Sequence, residues 1–140
     1  MTTTLAVAGC GSSAKTLTRA QLTSEANEIC HRVNVKLDAT NHQVKTPQDL
    51  ARLAPQLVSF EQGALAELSK LSPPSELADD WKEILADAQT LADNTAKLGE
   101  YAKSKQTNAT RELIQTSEQV QLKMIATAKR DGLTDCEKTV

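Results

Sequence analysis

Within residues 77–102 a stripe of mainly apolar residues returns at Leu77, Trp81, Ile84, Ala88, Leu91, Thr95, Leu98 and Ala102, in steps that alternate four and three. On a helix this heptad spacing lays one stripe along one face, whereas a strand, with its period of two, would scatter it over both. Three more segments carry the same signature. Leu22, Ala26, Ile29, Val33 and Leu37 predict a first helix over residues 18–41. The second has Thr46 as its cap and Pro47 at the first helical position, where a missing N–H costs nothing, followed by Leu50, Leu53, Leu57, Phe60, Ala64, Leu68 and Leu71. Pro55 interrupts this segment, but the stripe keeps its phase across it, which predicts a kink and not two helices. Ser72-Pro73-Pro74-Ser75 ends the second helix, because each proline disfavours helix in the residue before it, and Ser75 is placed to cap the third. The third stops near Lys105. The fourth opens at Thr107 or Asn108, turns Ala109, Leu113, Val120, Met124 and Ala128 inward with Ser117 at the missing small step, and ends at Asp131-Gly132.

Four such helices in 140 residues, with short connections, predict one all-α domain over residues 18–140, an up-down-up-down four-helix bundle. Composition agrees: 39% of residues are hydrophobic but only 2% aromatic, so the core is built from Leu, Ala, Ile and Val. Five Gly and four Pro are too few for a sandwich with many turns. The topology gathers the starts of helices one and three, the Pro73-Pro74 turn and the end of helix four at one pole, where Trp81 should pack close to Leu133. The polar loops 39–45 and 104–108 lie at the other, facing any partner.

The N-terminus carries a different kind of signal. Val7-Ala8-Gly9-Cys10 resembles the four-residue box that ends the signal peptide of bacterial lipoproteins, where small residues keep the backbone uncrowded beside a Cys that takes a diacylglycerol. The resemblance implies a lipid on Cys10, a signal-peptide remnant at residues 1–9, and a flexible tether over residues 10–17. Residues 1–9 contain no Lys or Arg and only Leu5, Ala6, Val7 and Ala8 as apolar residues, short of the charged and apolar regions such a signal needs. A natural start upstream of Met1 is therefore expected; the competing reading is a chance match in a cytoplasmic protein. After Cys10 no apolar run approaches the ~20 residues of a membrane span, so attachment would come through the lipid, on the extracytoplasmic side of the cell membrane.

With Cys10 assigned to lipid, Cys30 and Cys136 are an even pair, which in an exported protein suggests a disulfide tying the C-terminal tail to helix one; two buried free thiols are the alternative. Reach permits the bond: Cys30 lies roughly 18 Å up the first helix, and an extended tail from Asp131 to Cys136 spans about 17–20 Å. The segments LTRAQLTSEANEIC, LSPPSELADDW and GLTDC together resemble a loose group of small exported or lipid-anchored helical proteins of actinobacteria. The resemblance spans residues 17–136. It implies an exported bundle with a Cys30–Cys136 link and no particular activity.

Chemistry is sparse. A net charge of −2 and a pI near 5.7 leave no basic footprint for nucleic acid. No Gly-rich phosphate loop, G-x-S-x-G elbow or H-E-x-x-H is present, so the chain is read as non-enzymatic. Glu28 and His31 form one E-x-x-H, the pairing di-iron bundles use twice, and His31 with Met124 would be a haem pair; this metal- or haem-binding bundle is the alternative function. The blander reading makes His31 a rim histidine beside the disulfide and Met124 core, with no cofactor. His42 falls in a polar loop, and Glu25/Glu28, Asp79/Asp80 and Glu83/Asp87 are spaced like solvated helix faces. The favoured expectation is a cell-envelope lipoprotein that binds or scaffolds, its partners the membrane, through the lipid on Cys10, and an envelope protein.

Overall fold

The computed structural model describes residues 15–138, so the box around Cys10 and the signal remnant lie outside the described residues. Four helices are present, α1 (Arg19–Asn41), α2 (Pro47–Leu68), α3 (Ala78–Lys103) and α4 (Thr107–Arg130), and there is no strand among the described residues. Both early caps are reciprocal boxes. Thr18 accepts from the Gln21 N–H while Gln21 accepts from the Thr18 N–H, and Thr46 and Asp49 do the same ahead of Pro47. The hydrogen bond from the Thr46 hydroxyl, and next the one from the Lys45 N–H, hold the Asp49 carboxyl below its usual range. Pro55 does not divide α2: it sits on the exposed face, where water can take the carbonyl its ring frees.

The third helix starts differently from expectation. Ser75 does not cap it but opens a short 3-10 turn, Ser75–Leu77, closed by the Leu77 N–H on Pro74 O at 3.0 Å. The prolines hold the chain extended up to Pro74, and the tight turn that follows drives Leu77 into the core. α3 begins without a side-chain cap, and Asp79 and Asp80 in its first turn supply favourable charge instead. The end of α4 follows expectation. Gly132 takes φ +80°, and the N–H groups of Gly132 and Leu133 bond Lys129 O and Ala128 O at 3.2 and 2.9 Å, the Schellman arrangement.

Packing runs in chain order. α2 lies closest on α3: a Cβ on Gly99 would come within 2.5 Å of the Ala54 Cβ, so glycine is what allows the approach. α1 packs on α2 and α4 on α3, and their ion pairs follow the same order, Arg32 to Glu67 at 2.6 Å and Arg130 to Asp80 at 2.7 Å. Among the described residues no ion pair joins α1 to α4, and the two helices scarcely meet.

The dense core therefore occupies one pole, around Leu22, Ala26, Leu68, Trp81, Ala128 and Leu133. Trp81 is 4% exposed and shares this core with Leu133, and Leu17, whose N–H bonds Ser72 O at 2.9 Å, packs on it. Here the tail does what α1 and α4 do not do directly. Cys30 and Cys136 are disulfide-bonded with Cα atoms 5.1 Å apart, the Asp135 N–H donates to Asn27 Oδ1 at 3.0 Å, and Asn34 donates to Asp135 O at 2.7 Å. The tail is turned, not extended as reach had suggested, with the Cys136 N–H on Leu133 O at 3.0 Å. The reason is register: Gly132 already stands beside Thr23 and Asn27, so only about 10 Å of α1 remains to be climbed to Cys30.

Candidate functional site

Away from that pole the inward stripes do not close on one another. Val33 and Leu37 of α1, Ala88, Leu91, Thr95 and Leu98 of α3, and Leu113, Val120 and Met124 of α4 are only half-buried. In α4 just Thr127 and Ala128 are fully buried, far fewer than its stripe predicts, because no α1 surface covers the rest. α3 meets its neighbours on three sides. Ala92 and Gly99 are buried on it, Asn94 donates to Ser117 of α4 at 3.1 Å, and the middle of the heptad stripe, Ala88, Leu91, Thr95 and Leu98, faces a space between the helices. That space is a cavity of about 320 Å³, walled by all four helices and closed at one end by the disulfide. A broader dip of about 740 Å³ beside Arg19, Thr23 and Lys129 is an open surface depression.

The cavity wall is mostly Leu, Ile, Ala, Val and Met, with one acid among them. Glu61 of α2 places Oε2 in the interior with no hydrogen-bond partner. Burial pushes its carboxyl up from 4.5 to about 7, against the hydrogen bond with Thr95, which pulls the other way. The Thr95 hydroxyl lies 3.0 Å from Glu61 Oε1 and 3.1 Å from Leu91 O, yet it has one hydrogen to donate. With Glu61 protonated both contacts are satisfied, the carboxyl donating to Thr95 and Thr95 to Leu91. Trp81 Nε1, which also lines the cavity, likewise has no hydrogen-bond partner.

Glu61 is the residue that sequence reasoning passed over. The steps Leu57, Glu61, Ala64, Leu68 fit a helix as well as Leu57, Phe60, Ala64, Leu68; the structure turns Glu61 to the cavity and leaves Phe60 outside its wall, with the Lys36 ammonium 5.6 Å from its ring. Leu71, expected on the same stripe, lies beyond the end of α2. Asp87, read as solvated, is 9% exposed and is held by Lys123 of α4, whose Nζ lies 3.5 Å from Asp87 and 2.6 Å from Glu83. These neighbours, the hydrogen bond to Glu83 above all, raise the Lys123 pKa.

The residues of the metal or haem alternative are not brought together. His31 is exposed on the outer side of α1, its Nδ1 3.8 Å from Asp135, and is absent from the cavity wall; Glu28 is engaged by Arg32 at 2.9 Å; Met124 lines the cavity. Among the described residues no three His, Cys, Asp or Glu side chains converge as metal ligands. No described helix is long and apolar enough to cross a membrane. Comparisons with protein-family models, with curated proteins and with solved structures found no match.

Proposed function

We propose that this chain is a non-enzymatic lipoprotein of the cell envelope, anchored through Cys10, whose bundle is a binding module for a small, mostly apolar molecule. The observation that carries the binding half is the cavity of about 320 Å³ between four helices, within the ordinary size of ligand pockets. Its wall is mostly apolar, and it lies where α1 and α4 scarcely meet. The anchoring half rests on Val7-Ala8-Gly9-Cys10 and the short polar tether behind it. That tether leads to the closed pole of the bundle, so the open pole, with the 104–106 turn, faces away from the membrane. Two experiments test the halves separately. Expressed behind a complete secretion signal, the protein should enter the detergent phase of a phase-separating extraction, and Cys10→Ala should stay in the aqueous phase. Equal partitioning of the two would remove the anchor. The soluble bundle from residue 15 onward, disulfide intact, should take up the uncharged dye N-phenyl-1-naphthylamine saturably, one molecule per chain. Absence of uptake would remove the binding module.

A further inference from the structure

We infer that the cavity selects amphiphiles with a single alkyl chain and a cationic, hydrogen-bond-donating head, a primary ammonium, which pairs with Glu61 Oε2 while the chain runs toward Trp81 and the disulfide. The inference rests on the cavity reading above and adds what the ligand must carry. Three observations lead to it. First, of the acids drawn into the bundle, Asp87 has Lys123 as its cation, but Glu61 has no cation within ion-pair distance among the described residues. A buried carboxylate without a partner is unfavourable, and a ligand that brings a cation and a donor removes that cost on binding. Second, Thr95 fixes Oε1 and leaves Oε2 as the free acceptor, so the head has one defined place. Third, the wall beside Glu61 is mostly apolar, with Ala64, Leu65 and Leu68 on α2, Ile84 and Ala88 on α3 and Met124 on α4, and the one cation in the wall, Lys138 of the tail, is already engaged by Asp135. From Glu61 to Leu68 is seven residues, about 10 Å of helix, room for a medium-length alkyl chain ending near Trp81.

Decylammonium, decanol and decanoate present one chain with three heads, and Trp81, the chain's one tryptophan, reports their arrival because it lines the same cavity. Titrations at about pH 8, where the Glu61 carboxyl is mostly ionised, should show decylammonium binding on the order of tenfold tighter than decanol, and decanoate weakest. Glu61→Gln should bring decylammonium to within roughly twofold of decanol while decanol binding is kept, which shows that the variant is folded and the cavity intact. Equal affinity for decylammonium and decanol in the wild type overturns the inference but leaves the apolar binding module standing. A preference for the ammonium that survives Glu61→Gln also overturns it. If none of the three binds, the inference fails together with the cavity reading.

Discussion

Glu61 is the residue whose chemistry departs furthest from its surroundings. In the fold its carboxyl keeps its proton up to about 7, whereas the unfolded chain releases it near 4.5. The folded state therefore binds more protons through this window, so Glu61 favours folding fully below about pH 4.5, and the benefit is lost as pH rises through about 7. The difference of about 2.5 units (7 − 4.5) corresponds to on the order of 3 kcal/mol. Glu61→Gln cannot ionise. Its stability relative to wild type should rise by about that amount between roughly pH 4 and pH 8, measured by urea unfolding at each pH. A difference between the two proteins that does not change with pH would mean that the carboxyl is solvated and faces outward. The same residue shows where sequence reading stops. The spacing of Leu57, Ala64 and Leu68 fixes a face but admits either Phe60 or Glu61 beside it, and hydrophobicity alone favours the phenylalanine; only the positions of α3 and Thr95 decide between them.

At the scale of elements, α1 and α4 depend on the tail. Leu133, Cys136 and the Asn27 and Asn34 contacts to Asp135 join them at one pole, with the Cys30–Cys136 bond closing a sequence separation of 106 residues. Closing so long a loop is worth up to about 4.7 kcal/mol in the chain-entropy model. The Cys30→Ser, Cys136→Ser double variant should accordingly lose several kcal/mol in urea unfolding, and Trp81, buried in the intact protein and so expected to emit at short wavelength, should shift its emission to longer wavelength. Unchanged stability and emission would show that the tail is an ornament on a self-sufficient bundle. Helix number and order, the start of α1 near Thr18, the Thr46 cap and the Gly132 stop were legible because each depends on local chemistry. The disulfide was legible from cysteine count and reach. The turned path of the tail was not, because the axial register of α4 against α1 is a tertiary quantity that no local pattern encodes.

At the scale of the whole molecule the bundle is closed at one pole, while over the rest of its length α2 and α3 stay packed on each other and a cavity opens between them and α1 and α4. A stripe says which side of a helix faces inward but not how far away the facing helix lies; α1 and α4 would read the same whether they touched or stood apart. The hollow is therefore a property of the assembled helices, and it is what turns an ordinary bundle pattern into a binding site. Two alanines one turn apart on α3 test it directly. Ala88 lines the cavity, while Ala92 is 1% exposed on the helix that lies closest to α2. Urea unfolding midpoints of Ala88→Phe and Ala92→Phe give the decisive comparison. With the cavity present, the phenylalanine at 88 has space to enter and the variant should be as stable as wild type or more so, whereas the one at 92 overpacks a filled contact and should cost about 1–3 kcal/mol. If Ala88→Phe loses as much stability as Ala92→Phe, the space between the helices is already filled and the account is wrong.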